Sequence, residues 1–173
     1  AWQAGDRYEG YMGRWSRRLA PGFVRFLDPV DGLDWLDIGC GTGALSASVL
    51  ALCNPKSLIG IDPTDAFVAT ARANLADSRA QFRVGDAHAL DLPDASRDMA
   101  GSALVLNFLP DRPKALSEMR RVTRPRGTIG LYVWDYPGGG LQLLQAFWEA
   151  AADVDARARA LSEDRRFPFC TPP

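Results

Sequence analysis

The chain has 173 residues, a formal net charge of −1, 47% hydrophobic and 24% charged residues. That is ample apolar material for one core, while the near-neutral charge excludes an overall basic field that would draw the chain to nucleic acid or an anionic membrane. Cys40, Cys53 and Cys170 are odd in number and form no C-x-x-C pair, which argues against a disulfide framework or a zinc site and for a reducing, cytoplasmic home. No basic-then-apolar leader opens the chain and no uncharged apolar run reaches spanning length, so a soluble protein without metal, with a small-molecule partner, is expected.

Residues 1–32 contain Tyr8, Tyr11, Met12, Arg14, Trp15, Phe23 and Phe26 and predict one or two helices preceding the first strand, as an extension or lid. From residue 33 onward short apolar runs alternate with helical patterns, the rhythm of βαβ units wound into a parallel sheet. The first strand is expected at 33–38, followed by a glycine-rich turn and a helix at 44–52 that is apolar on most faces. A second strand at 57–61 leads through Asp62-Pro63-Thr64, with Thr64 as N-cap, into a helix at 66–75. A third strand at 81–84 ends in Gly85-Asp86-Ala87, and residues 90–97, rich in Asp and Pro, predict a loop. The fourth strand is placed at 99–106. After it Asp111 caps a helix with Pro113 in its first turn and Leu116, Met119 and Val122 along one face, ended by Pro125-Arg126-Gly127. A fifth strand at 128–134 is broken by Pro137-Gly138-Gly139-Gly140, and a helix follows over 141–161.

The expected fold is therefore α/β, a Rossmann-like doubly wound sheet, read as a single domain with a cofactor-binding core at 33–136 and a helix and tail at 137–173. In such sheets ligands bind beyond the carboxyl ends of the strands, at the point where the strand order reverses. The motifs gather there: Gly39, Gly41 and Gly43 end the first strand, Asp62 the second, Asp86 the third, and residues 104–108 the fourth.

Glycines alone are weakly diagnostic. Gly39-Cys40-Gly41-Thr42-Gly43-Ala44 satisfies the dinucleotide pattern G-x-G-x-x-G/A, and Asp62 lies nineteen residues beyond Gly43, where a ribose-binding acid is expected for a dinucleotide as well. A nicotinamide-dependent oxidoreductase is thus a rival, and a cofactor-binding protein without turnover is the non-catalytic alternative. Asp37, two residues before Gly39, favours a loop that holds a cation rather than a pyrophosphate. A second polar strand end at Asp86 suits an adenine amino group, and a dinucleotide fold usually starts near its first strand and continues into a second mononucleotide half, whereas this chain carries a long N-terminal extension and ends early for that fold.

Leu36-Asp37-Ile38-Gly39-Cys40-Gly41-Thr42-Gly43 resembles motif I of the class I S-adenosylmethionine-dependent methyltransferases, particularly the small-molecule group related to ubiquinone and menaquinone biosynthesis. Gly85-Asp86-Ala87-His88-Ala89-Leu90-Asp91-Leu92-Pro93 is similar to that family's segment after the third strand, and residues 103–122 to its fourth motif. The resemblance implies the cofactor S-adenosyl-L-methionine, the strand order 3-2-1-4-5, and methyl transfer to a small organic acceptor by in-line displacement. It implies that Gly39, Cys40, Gly41 and Gly43 cradle the methionine part, with Asp37 orienting the amine. Asp62, beside Pro63, would take the ribose hydroxyls and Asp86 with the Ala87 backbone the adenine, while Ala103 and Leu104 line the site.

Tyr11 and Arg14 are candidates to reach the cofactor's carboxylate, and Asn107, Phe108, Trp134, Asp135 and Tyr136 are candidates for the acceptor pocket. Asn107-Phe108 stands where relatives often carry His-His, and Arg126 stands in a turn where relatives often have glycine, which places a non-glycine residue at positive φ. His88, the single histidine, is read as a solvent-facing loop residue. The family's sixth and seventh strands are not found after residue 161, so the chain is expected to be cut short at its C-terminus. The fifth strand would then be a bare edge, without lysine or inner proline, and a homodimer through that edge or through the C-terminal helix is expected.

Overall fold

The computed structural model describes residues 9–171, without the side chains of Glu9 and Tyr11. A π-helical turn, Glu9–Gly13, runs into helix α1, Arg14–Leu27. Then follow β1 (Asp34–Ile38), α2 (Ala44–Leu52), β2 (Ser57–Asp62), α3 (Asp65–Asn74), β3 (Ala80–Val84) and β4 (Arg97–Ala103). A short 3₁₀ turn, Leu106–Phe108, precedes α4 (Arg112–Val122), which passes directly into β5 (Thr123–Tyr132). The chain divides into two compact units, one reaching to Tyr132 and the other starting at Val133. The second holds α5 (Gln142–Val154), a 3₁₀ segment (Ala156–Leu161) and the single turn α6 (Glu163–Arg166).

The five strands form one parallel sheet in the order β3-β2-β1-β4-β5, as expected. Because side chains alternate across a strand, each central strand serves two cores. Trp35, Leu58, Phe82 and Met99 face Ala20, Val24, Val49 and Val68 from α1, α2 and α3. Leu36, Ile38, Ile59 and Ile61 face Ala115, Met119 and Val122 of α4 together with Ala87, Leu90 and Leu92 of the segment after β3. All five residues of β1 are buried, so its few polar side chains must be hydrogen-bonded or functional.

Several boundaries differ from the sequence reading, each for a local reason. The strand expected at 128–134 begins five residues earlier and ends at Tyr132. Pro125-Arg126-Gly127 does not end the preceding helix. Those residues form a bulge inside β5, between the pairs Arg97 with Thr123 and Met99 with Thr128. The strand therefore does carry an inner proline, contrary to expectation, and Arg126 sits at φ 69° as its place in the turn required. The fourth strand stops at Ala103 because Leu104 turns to φ 62°. Asp111 caps α4 by accepting from Lys114 N at 3.0 Å, but Leu116 is exposed and Glu118 takes its expected place on the buried face. Thr64 stands at the N-cap of α3 without a side-chain bond. The long C-terminal helix is interrupted at Asp155, whose side chain accepts from Arg157 N and starts the 3₁₀ segment. Among the described residues no helix is long and apolar enough to cross a membrane.

Candidate functional site

Asp37 enters from the fully buried strand β1, on the face covered by α2. Its Oδ2 accepts from Ser46 N at 3.1 Å and Ser46 Oγ at 2.6 Å, which satisfies one of the open N–H groups in the first turn of α2. Oδ1 is buried and has no hydrogen-bond partner. Burial lifts the carboxyl to about 7, with the nearby Asp62 charge adding to the lift and the two Ser46 bonds opposing it. An orphaned buried carboxylate oxygen at the end of the central strand is a place for a cation.

The loop after β1 is strapped to β2, since Gly39 N and Cys40 N both donate to Ile61 O, at 2.7 and 3.0 Å. Gly39, Gly41 and Gly43 all have positive φ, but their surroundings differ. A Cβ on Gly39 would strike the Val105 side chain at 2.5 Å, and one on Gly43 would strike Leu75 at 2.6 Å. A Cβ on Gly41 would meet nothing within 4 Å. Gly39 and Gly43 thus allow close packing beneath the loop, and Gly41 fronts open space. Cys40 turns its side chain into the first core, so only its backbone is available to a ligand. Burial, followed by the Asp37 and Asp62 charges, pushes its thiol up.

Asp62 ends β2 almost wholly buried, with Oδ2 accepting from Gly41 N at 3.0 Å and Oδ1 from Thr64 N at 2.8 Å. Two of roughly four lone-pair sites are used in this way, which leaves capacity for further donors. Pro63, next to it, is exposed.

Beyond β3, Asp86 is exposed while Ala87 is buried in the second core. Asp86 Oδ1 accepts from His88 N at 2.9 Å and lies 2.6 Å from His88 Nδ1. The His88 N–H bond, then the ring, holds the Asp86 carboxyl below its usual value. His88 is therefore not the solvent-facing residue expected. Its ring is oriented by Asp86, and Nε2 is buried with no partner.

The turn after β4 carries two features not visible in the sequence. Leu104, buried, adopts φ 62° while its N–H bonds Tyr132 O at 2.8 Å, a left-handed conformation that a leucine rarely holds. This aims Val105 onto Gly39. Asn107 is buried and neither atom of its amide has a partner, whereas Phe108 is exposed. Ala103 is half-buried against the first core.

The remaining candidates are less closely defined. Arg14 is exposed with its guanidinium 5.3 Å from the centre of the Trp15 ring, which Arg18 also approaches at 5.3 Å. The side chain of Tyr11 lies outside the described residues. Trp134, Asp135 and Tyr136 belong to the second unit. There Tyr136 is buried with its ring 5.4 Å from that of Phe167, Trp134 packs on the same cluster, and Asp135 accepts from Gly138 N at 2.7 Å. A cleft of about 510 Å³ opens between α3 and β3, but none of the motif residues lines it.

The family described as "Methyltransferase domain" matches residues 36–131. The chain is 30% identical over 128 residues to Nocamycin O-methyltransferase of Saccharothrix syringae, an alignment covering 72% of this chain and 46% of that protein. It is 35% identical over 118 residues to Malonyl-[acyl-carrier protein] O-methyltransferase of Serratia marcescens, covering 68% and 44%. In structure it is similar to an S-adenosylmethionine dependent methyltransferase from Mesorhizobium loti, with TM-score 0.61 and 26% identity over 68% of this chain and 56% of that one. The chain spans less than half the length of these two sequence relatives. Strand order, glycine loop and family match agree, and the chain belongs to the class I S-adenosyl-L-methionine-dependent methyltransferases, as a methyltransferase domain.

Proposed function

We propose that the chain binds S-adenosyl-L-methionine at the carboxyl ends of β1 to β4 and directs methyl transfer to a small organic acceptor. The observation that carries this reading is the orphaned Oδ1 of buried Asp37 behind a loop whose Gly41 fronts open space. With Asp62 it puts two carboxylates around the glycine loop, which would repel the pyrophosphate of a nicotinamide dinucleotide and attract an ammonium or sulfonium cation.

In this reading Gly39, Cys40, Gly41 and Gly43 offer backbone to the methionine part, and Asp37 faces its amine. Asp62 accepts from the ribose hydroxyls beside Pro63, and Asp86 with the Ala87 N–H holds the adenine edge. Ala103 and Leu104 line the floor, while Tyr11 and Arg14 supply the carboxylate contact from the N-terminal extension. Asn107 and Phe108 are assigned to the acceptor. The bound cofactor supplies a methyl group activated on a cationic sulfur. The protein's part is to align the acceptor in line with that methyl and to exclude water, because positive charge disappears as the methyl moves and an apolar surround favours its loss. We assign residues 1–32 to a lid, 33–136 to the cofactor core and 137–173 to a helix and tail of the same domain.

All three cysteines are buried thiols, which supports a cytoplasmic location. A second copy of the chain is the partner proposed for the β5 edge or for α5, where Leu143, Phe147 and Val154 are exposed. Light scattering coupled to size exclusion is expected to show a dimer, and a strict monomer at high concentration counts against it. Calorimetric titration with S-adenosylhomocysteine and with NAD tests the cofactor, and a methyl-donor turnover assay tests the activity. Binding of NAD in preference to S-adenosylhomocysteine would overturn the reading.

A further inference from the structure

The turn that carries Asp86, Ala87 and His88 hangs between two anchors. On one side Gly85 N donates to Asp62 O at 3.1 Å, which ties it to the end of β2. On the other side two residues of α4 grip the main chain of the segment. Glu118 Oε2 accepts from Leu90 N at 2.8 Å, and Arg121 donates through Nη2 to Leu90 O and through Nη1 to Leu92 O, each at 2.8 Å. The two side chains are themselves locked as a fork, Nε to Oε1 at 2.8 Å and Nη2 to Oε2 at 2.7 Å. Arg121 holds the Glu118 carboxyl down to about 2, so at neutral pH the fork is an ion pair over its own pair of helix positions, one turn apart. Both polar groups of Leu90 are thus engaged from one helix, while the bonds within Asp86–His88 stay local to the turn.

We infer that Glu118 and Arg121 are positioning residues that fix the Asp86–Ala87 edge and so set the cofactor's base selectivity from α4. The inference rests on the proposed placing of adenine at Asp86 and Ala87. An adenine edge offers an amino donor and a ring acceptor, matching the Asp86 carboxylate and the Ala87 N–H. A hypoxanthine edge reverses both roles. The discrimination depends on how firmly that pair is held. With the Leu90 backbone released, the Gly85 anchor, the Ala89 N–H bond to Asp86 O and the buried Ala87, Leu90 and Leu92 side chains would still keep the segment in place, but no hydrogen bond from α4 would fix the height of the Asp86–Ala87 edge.

The test is calorimetric affinity of the full chain for S-adenosylhomocysteine and for S-inosylhomocysteine, in the parent and in Arg121→Ala, Arg121→Lys and Glu118→Gln, with thermal unfolding measured in parallel. The parent is expected to prefer the adenine compound. Arg121→Ala is expected to lower that preference by about tenfold or more, and Arg121→Lys to restore part of it. A purely structural role would lower the melting temperature and weaken both ligands alike. An unchanged ratio in a folded Arg121→Ala chain therefore overturns the inference while leaving the adenine site standing. If the parent shows no preference, the adenine site itself fails and the inference with it. Should Arg121→Ala not fold, the affinity ratio of Glu118→Gln, which keeps an acceptor for Leu90 N but breaks the ionic fork that holds Arg121 on Leu90 O, decides between the two roles. A reduced ratio there supports the inference and an unchanged one overturns it.

Discussion

Asp62 Oδ2 accepts the amide hydrogen of Gly41 at 3.0 Å, so the acid that ends β2 holds in place the one loop glycine that fronts open space. The same carboxylate also receives Thr64 N–H, and its charge raises the Asp37 carboxyl across the loop. Shape and charge of the site thus share one side chain. Asp62→Ala is expected to weaken S-adenosylhomocysteine binding by about 2–4 kcal/mol, the scale of two charge-assisted hydrogen bonds. Calorimetry that finds parental affinity in the variant would remove Asp62 from the site.

Asp37 makes binding depend on pH. Its carboxyl titrates at about 7 in the folded chain, above the ordinary 3.8, because burial penalises the charge. The free chain therefore draws stability from the protonated form, fully present below about 3.8 and lost as pH rises through about 7. An ammonium partner needs the carboxylate, so cofactor affinity runs the other way. Affinity for S-adenosylhomocysteine is expected to rise by roughly tenfold per pH unit on approaching neutrality and then to level off. Asp37→Asn should flatten that profile, and titrations at pH 5.5 to 8.5 (about half-unit steps) would reveal an unaltered slope if the amine is held elsewhere.

The loop glycines separate packing from recognition. Gly39→Ala would press a methyl onto Val105 at 2.5 Å in a left-handed backbone, and is expected to cost about 2 kcal/mol or more of stability in urea unfolding. Gly41→Ala meets no neighbour and should cost only about 1 kcal/mol of backbone strain. Its methyl would stand in the open space before the loop, so cofactor affinity should fall at least about tenfold. A Gly41→Ala chain that binds normally would mean that the ligand approaches from another side.

Arg126 is exposed at φ 69° in the β5 bulge. Arg126→Gly should relieve the left-handed strain and, after the extra freedom of glycine in the unfolded chain, leave a gain of up to about 1 kcal/mol. A lowered melting temperature would show that the arginine makes contacts that outweigh its backbone.

Alternation of short apolar runs with helical patterns made the strands of a parallel sheet legible, because the middles of β1, β2 and β4 are buried on both faces, whereas the order of the strands came from the resemblance. The glycine spacing and the acids at positions 37, 62 and 86 marked the strand ends for the same reason, since each needs a special backbone or a charge at a place that packing alone would not choose. Three features escaped. The β5 bulge hid because Pro125 and Gly127 also fit a helix terminator. The grip of Glu118 and Arg121 on Leu90 joins groups 28 and 31 residues apart, beyond any local period. Asn107 stood among the acceptor-pocket candidates, but the burial of its amide without partners is a tertiary property that no local pattern carries.

Leu104 places a different demand on the fold. A leucine at φ 62° holds a conformation worth about 1–2 kcal/mol less than its relaxed alternatives, and its neighbours Val105 and Asn107 take their directions from it. Glycine would relax the turn but give up the burial of a leucine side chain, worth about 1.5–3 kcal/mol. Strain and burial thus nearly cancel at residue 104. Libraries screened for thermal survival should be almost blind to an exchange of Leu104 for glycine, whereas libraries screened for methyl transfer would register any change in the direction of Asn107.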